Sequence, residues 1–160
     1  MNIFVSRPNE IGQVFEKAYA GFDEYLKRFG LSPCRLGANK YTINAPLIGV
    51  MNLMEKCHGV ITLGYPKYEF STTVLKGDKL QHQILKLIPT AWNHIEATLG
   101  FSRKLPVLIV AHEGISEGVF DPKVTGKYVF SARLDQVGWF RQKSFKGVFY
   151  EWKNQLPVVK

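Results

Sequence analysis

Residues 88–100 have the sequence IPTAWNHIEATLG, and this stretch is the strongest indication of the fold class. It lies between two short apolar runs, 59–63 and 107–111, whose length and composition are typical of buried strands. A helix between two such strands indicates a parallel sheet, with the helix beginning at its carboxyl edge. Glu96 falls near the start of this helix, and the positions three and four residues away carry no basic side chain: Trp92, Asn93, Leu99 and Gly100. These surroundings favour a carboxylate in a pocket, with a surface glutamate as the alternative.

Strand-like and helical patterns alternate along the chain on both sides of this stretch. Asn9 is expected to cap a helix that ends at Gly30. Another helix is expected to begin at Pro46, and the C-terminal part should be helical over 145–152. Strands are expected at 2–6, 32–36, 59–63 and 107–111, with a weaker one near 128–132 and a polar region from 67 to about 80. The alternation predicts an α/β three-layer sandwich with a central parallel sheet.

The composition is typical of a globular protein. With 160 residues, 46% of them apolar and 21% charged, we expect one domain over residues 1–160. No apolar run approaches the ~18 residues of a membrane span, and we expect no signal peptide. Cys34 and Cys57 lack the spacing of a disulfide framework or a metal site, so we expect unpaired thiols and a reduced, cytoplasmic protein. The net charge of +8 suits phosphate-bearing ligands, but it is spread along the chain and does not predict a nucleic-acid-binding surface.

Ligands of parallel α/β sheets bind outside the carboxyl ends of the strands. Four segments should therefore converge at one edge: Ser6–Pro8, 36–44, 64–66 and 112–114. The start of the Glu96 helix should join them there. We expect no metal at this edge, because His58, His82 and His94 do not pair at the spacing of metal ligands.

Two motifs around Glu96 resemble known families. Residues 92–96, WNHIE, resemble the tryptophan-x-x-x-glutamate motif on the catalytic helix of TIR domains, although Asn93 stands where cysteine is common. Glu96 also lies ten residues before Pro106, as in nucleoside 2-deoxyribosyltransferases. Those transferases carry an aspartate shortly after the third strand, and residues 64–66 hold none. The resemblance covers roughly residues 1–115 and implies a flavodoxin-like fold with N-glycosidic chemistry on a nucleoside, a nucleotide or NAD.

The resemblance assigns expected roles to residues at this edge. Glu96 would be the catalytic carboxylate, because cleavage of a ribose–base bond develops a positive charge that a carboxylate stabilises. A position near a helix N-terminus would favour its ionised form, and Gly100 would leave room for a sugar. The expected substrate-binding residues are Ser6, Arg7 and Pro8 at the first strand end, with Arg7 on a phosphate, Tyr65 and Trp92 stacking on a base, and Asn93 and His112 on ribose hydroxyls. No cofactor is expected, and NAD would be a substrate.

Alternatives remain at the level of the sequence. The protein could be a non-catalytic TIR-like module that binds a nucleotide or a protein partner, or a deoxyribosyltransferase. A TIR-like NADase would suggest a role in immunity or cell death. Residues 114–118 match the Gly-x-Ser-x-Gly nucleophile elbow, but no histidine follows and we interpret the match as chance. The basic and aromatic stretch 139–152 is interpreted as helix packing, with an exposed part that could serve self-association into a homo-oligomer.

Overall fold

Two groups of strands make up the β structure of this computed structural model, which describes residues 1–37, 45–76 and 79–158, with the backbone alone over 71–76 and 79–85. The strands are β1 (Asn2–Ser6), β2 (Ser32–Cys34), β3 (Gly59–Gly64), β4 (Tyr68–Lys76), β5 (Lys79–Ile88), β6 (Val107–His112) and β7 (Val129–Ala132). The helices are α1 (Gln13–Tyr19), α2 (Phe22–Lys27), α3 (Pro46–Met54), α4 (Ala91–Ser102), α5 (Pro122–Thr125) and α6 (Lys143–Lys153). Short 3-10 helices lie at Gly118–Phe120 and Trp139–Arg141.

The central sheet has the strand order β2-β1-β3-β6-β7, and every neighbouring pair is parallel. This order is that of flavodoxin-like proteins, in which β1 and β3 meet at the point where the order reverses. The four strands expected at 2–6, 32–36, 59–63 and 107–111 are all present, although β2 ends at Cys34. The prediction of an α/β sandwich with a central parallel sheet is therefore confirmed.

Alternate side chains of the central strands point to opposite faces, and each face has its own helices. Odd-numbered residues such as Ile61 and Leu63 pack with α1, α2 and α6 in one cluster. Even-numbered residues of β1 and β3, such as Phe4 and Val60, pack on the other face with Ile109 of β6, α3, α4 and the 3-10 helix at 118–120. Because both faces are covered, β3 is buried throughout, which explains its continuous apolar sequence.

The structure corrects the sequence prediction in two regions. The helix expected from Asn9 to Gly30 is divided, because α1 begins after Gly12 and Gly21 adopts a left-handed conformation (φ 87°) between α1 and α2. The polar region expected from 67 to about 80 instead contains the first strand of an antiparallel hairpin, β4–β5, separate from the central sheet. In this hairpin, polar residues alternate with β-branched and apolar ones. This pattern is typical of strands, and the prediction of a polar region did not take it into account.

Cys34 and Cys57 are free and buried, in the cluster that also contains Phe4 and the apolar face of α3. Burial raises the pKa of the Cys57 thiol to about 12, so this thiol stays protonated at neutral pH. Within the described ranges, no helix has both the length and the apolar character needed to cross a membrane.

Two helical glycines provide a test of how closely α4 approaches the sheet. A Cβ at Gly100 would lie 2.9 Å from Val60 Cγ2, whereas a Cβ at the exposed Gly147 of α6 would meet no described atom within 4 Å. Gly147→Ala should raise the free energy of unfolding by about 0.5–1 kcal/mol through helix propensity. Gly100→Ala gains the same propensity but overpacks the core at a cost of about 1–3 kcal/mol, so we expect a net loss in urea unfolding. Equal stability of the two variants would contradict the close approach.

Candidate active site

A cavity of about 410 Å³ opens at the carboxyl edge of the sheet. Its size falls in the ~300–1,000 Å³ range of small-molecule pockets. The lining comes from the ends of β1 and β2, the start of α3, the segment after β3 and the start of α4: Phe4, Val5, Arg7, Pro8, Asn9, Glu10, Arg35, Leu36, Pro46, Val50, Lys67, Thr90, Trp92 and Glu96. Of the loop expected at 36–44, the part from 38 to 44 lies outside the described residues. Segments 64–66 and 112–114 were expected at this edge but do not line the cavity.

The start of α4 is fixed by Thr90 and Asn93. Thr90 is the N-cap, and its hydroxyl oxygen accepts from the backbone N–H of Asn93 at 3.4 Å. The same hydroxyl donates to Asn93 Oδ1 at 2.9 Å. A threonine cap of this kind stabilises a helix by about 1 kcal/mol, and here it also holds the Asn93 side chain.

The side chain of Asn93 joins α4 to the two central strands. It is only 1% exposed, and its Nδ2 donates to Ser6 Oγ at 3.0 Å and to the Leu63 carbonyl at 3.3 Å. Because a carbonyl can only accept, the amide must direct Nδ2 toward Leu63 and Oδ1 toward Thr90. All of its polar atoms are therefore used inside the protein. Asn93 supports the cavity from below, and the expected contact with ribose hydroxyls does not fit this burial.

Glu96 lines the cavity on the next turn of α4, beside the end of β1. Ser6 lowers the pKa of this carboxylate, and we assign the effect to a hydrogen bond from the Ser6 hydroxyl. Since Ser6 Oγ already accepts from Asn93, its own proton remains available to donate to Glu96. Burial raises the pKa of Glu96 to about 7, and the bond from Ser6 lowers that pKa by a smaller amount. The helix dipole acts over the first turn, so it does not hold Glu96 ionised as the sequence suggested.

Arg7 and Arg35 lie in the cavity wall and are oriented by acidic partners. Arg7 Nη1 is 2.9 Å from Glu16 Oε1, and its guanidinium stacks 4.5 Å from the centre of the Tyr19 ring. Arg35 Nη2 is 3.0 Å from Asp23 Oδ2, and its Nη1 donates to the Tyr19 hydroxyl at 2.6 Å. Tyr19 thus sits between two guanidiniums, and the acidic partners do not line the cavity.

The expected base-stacking residues have different positions. Trp92 lines the cavity and is 40% exposed, so its ring is accessible to a planar ligand. Tyr65 is completely buried and packs edge-on against Phe15 at 5.4 Å between ring centres. It cannot stack on a ligand in this conformation, because no part of the ring reaches the surface. Pro8, like Trp92, is in the cavity wall.

His112 is also outside the cavity lining. Its Nδ1 accepts from the backbone N–H of Leu134 at 3.1 Å, and its ring packs edge-on against Phe15. Burial lowers the pKa of His112, which favours the neutral ring whose Nδ1 can accept this bond. The geometry gives it a role in joining β6 to the segment after β7, not in contacting a ribose. Gly100 was expected to leave room for a sugar, but it packs against Val60 and leaves no such space.

The lining residues that were not predicted from the sequence include Arg35, Lys67 and Thr90. Arg35 follows β2 directly, and Lys67 lies three residues after the end of β3. Lys67 could have been found by extending the search to every polar side chain just beyond a predicted strand, whereas Arg35 fell inside the strand expected at 32–36. Thr90 carried a recognisable signal, since a threonine before a helical pattern is a common N-cap.

The described residues contain no metal site and no serine in the setting of a nucleophile elbow. Within them, no group of three His, Cys, Asp or Glu side chains could hold a metal ion. Ser116 is exposed on the turn after β6, and the segment continues into a 3-10 helix, not into the long helix of a nucleophile elbow. The charged groups available at the cavity are therefore the partly buried carboxylate of Glu96, the exposed carboxylate of Glu10, and arginine and lysine side chains.

The hydrogen bond from Ser6 can be tested by titration. Ser6→Ala removes the donor that lowers the pKa of Glu96, so this pKa should rise above about 7. A rise of about one pH unit corresponds to the ~0.5–1.5 kcal/mol of one hydrogen bond. NMR titration of the Glu96 carboxyl carbon measures it directly. Ser102→Ala, which removes an exposed hydroxyl bonded to Leu99 O on the same helix, is the control. An unchanged titration in Ser6→Ala would contradict the assigned bond.

The raised pKa of Glu96 also predicts how stability depends on pH. An unfolded glutamate loses its proton near pH ~4.3, whereas folded Glu96 keeps its proton up to about pH 7. The folded state therefore holds more protons between these values, and the free energy of unfolding falls as pH rises through this window. Glu96→Gln avoids this cost, so it should exceed the wild type in stability at pH 8 by up to about 3 kcal/mol and by much less at pH 5.

Urea unfolding at the two pH values measures the difference between Glu96→Gln and the wild type. Glu151→Gln, which removes an exposed carboxylate from α6, is the control for a general charge effect. A Glu96→Gln protein that is less stable than the wild type at pH 8 would show that the folded state favours the ionised carboxylate.

Comparisons with known proteins assign no family to this chain. No protein-family model matches the chain, and no curated protein matches it either. The case for a function therefore rests on the cavity, its carboxylate and its cationic wall.

Proposed function

We propose that this protein is an enzyme that cleaves the N-glycosidic bond of NAD or a related nucleotide, with Glu96 as the catalytic carboxylate. The observation that carries the proposal is the position of Glu96, partly buried beside Ser6 in the wall of a ligand-sized cavity. The resemblance of residues 92–96 to the TIR catalytic motif supports the same assignment. The cavity lies at the switch in strand order, where α/β proteins of this topology bind ligands.

In its ionised form, Glu96 has the charge that this reaction requires. When the bond between ribose C1′ and the base breaks, the electron pair leaves with the base and C1′ becomes cationic. An ionised Glu96 on one face of the ribose stabilises that charge, and the low dielectric of a partly buried site strengthens the attraction. In NAD the nicotinamide is itself cationic, so it takes the electron pair and leaves as a neutral molecule without needing a proton.

The second half of the reaction needs a nucleophile and a proton acceptor. Water adds to C1′ and loses one proton, giving the free ribose hydroxyl. With a pKa of about 7, Glu96 can accept that proton and release it to solvent. The balance is one NAD and one water converted into ADP-ribose, nicotinamide and a proton.

The open cavity favours catalysis over a module that only binds. A ring of Trp92 or Tyr65 lying across Glu96 would have supported the non-catalytic alternative. Tyr65 is instead buried away from the cavity, and Trp92 lines it without removing Glu96 from the lining. The deoxyribosyltransferase alternative uses the same carboxylate, and it differs in having a second base, not water, as the acceptor.

Glu96→Gln is the decisive substitution for catalysis. It keeps the shape and the hydrogen bond from Ser6 but removes the charge, so turnover should fall about 10²-fold or more. The assay incubates the protein with NAD and a panel of nucleosides and nucleotides, and chromatography measures the released base. Glu151→Gln, an exposed carboxylate on α6, should retain wild-type turnover.

Near-wild-type turnover in an active Glu96→Gln preparation would remove Glu96 from the mechanism. Exchange of a labelled free base into the substrate, at the expense of hydrolysis, would instead support the transferase. If the wild-type protein releases no base from any compound in the panel, the binding module becomes the better proposal.

A further inference from the structure

Three cationic side chains form a row along the cavity wall. Arg35 follows β2, Arg7 follows β1 and Lys67 follows β3, and these three strands are neighbours in the sheet in that order. All three residues line the cavity that contains Glu96. We call Arg35, Arg7 and Lys67 the cationic row. The sheet order therefore places three positive charges at the carboxyl edge, although they are widely separated in the sequence.

The two arginines of the cationic row are fixed before any ligand arrives. Their acidic partners, Glu16 and Asp23, are not part of the cavity lining, so they orient the guanidiniums from outside the cavity. The Arg7 side chain is only 10% exposed, and its Nε is buried with no acceptor among the described residues. A guanidinium held in this way loses little conformational entropy when it binds an anion.

Lys67 completes the row at the base of the β4–β5 hairpin. Its backbone N–H donates to the Ile88 carbonyl at 2.8 Å, which fixes the main chain at this point. Its side chain is exposed, and its ammonium has no carboxylate partner among the described residues. Unlike the arginines, Lys67 can therefore move its charge onto a bound ligand.

We propose that the cationic row binds the phosphate groups of a nucleoside 5′-phosphate or 5′-pyrophosphate, so that phosphorylated nucleotides, and not free nucleosides, are the ligand class of this cavity. The inference rests on the proposed function for the position of the ribose, with C1′ near Glu96. Guanidiniums bind two phosphate oxygens at once, and an ammonium adds a mobile point charge. Trp92 and Glu96 both lie on α4, so we place the base at the α4 end of the cavity and the phosphates at the cationic row.

Binding to the Glu96→Gln protein tests this inference without turnover. Calorimetry at fixed ionic strength compares adenosine, AMP, NAD and inorganic pyrophosphate. We expect AMP or NAD to bind about tenfold or more tightly than adenosine, and pyrophosphate to compete with the tighter nucleotide. Tighter binding of AMP indicates a monophosphate ligand, whereas tighter binding of NAD indicates a pyrophosphate.

A second substitution assigns the effect to the cationic row. Lys67→Gln in the Glu96→Gln background should weaken nucleotide binding about tenfold and leave adenosine binding unchanged. Lys146→Gln, an exposed lysine on α6, removes the same charge elsewhere and should have no effect. Both lysines are exposed, so neither variant should change the fold, and thermal unfolding checks this.

Two results would overturn the inference: equal affinity for adenosine and both nucleotides, or equal effects of Lys67→Gln and Lys146→Gln. Absence of measurable binding by AMP, NAD and pyrophosphate would overturn it as well. The outcome is separate from that of the proposed function. If nucleotides bind through Lys67 but the wild-type protein releases no base, the phosphate site stands and the glycosidic activity fails.

Discussion

The buried amide of Asn93 is the interaction on which the geometry of the cavity depends. It ties the start of α4 to β1 through Ser6 and to β3 through the Leu63 carbonyl. The Leu63 carbonyl fixes which way the amide faces, and the amide in turn leaves the Ser6 proton directed at Glu96. One side chain therefore sets both the position of the helix and the polarity of the hydrogen bond at the carboxylate. Its burial makes that arrangement costly to disturb, since an unpaired buried amide would have no water to replace its partners.

Under the proposed function, the environment of Glu96 favours activity at the expense of stability. Burial raises its pKa to about 7, so its charge is expensive to hold in the folded protein. The same lack of solvent makes the charge more effective toward a developing cation than a surface carboxylate would be. Ser6 offsets part of the cost. Arg7 and Arg35 are engaged by Glu16 and Asp23, which keeps the cationic wall in place without a direct pair to Glu96.

Much of this architecture follows from local sequence. The strands β1, β3 and β6 are short apolar runs. Thr90 indicates the start of α4, and so does the position of this helix between β3 and β6 in the sequence. Glu96, Arg7, Pro8, Ser6 and Trp92 were all predicted at the carboxyl edge, because each lies at the end of a strand, just after one, or in the first two turns of that helix. The β4–β5 hairpin was missed, since its strands do not belong to the repeating strand–helix pattern.

The α/β class, the parallel sheet and the edge at which the cavity lies could be predicted from the sequence, because hydrophobic periodicity records which faces of each element are buried. Which polar side chains at that edge reach the cavity depends on how the elements pack together. Asn93 and His112 form hydrogen bonds inside the protein, and Tyr65 is buried. Arg35, Arg7 and Lys67 come together only when β2, β1 and β3 are placed side by side. Strand order and the direction of a side chain depend on contacts between residues distant in the sequence, and no local pattern encodes them.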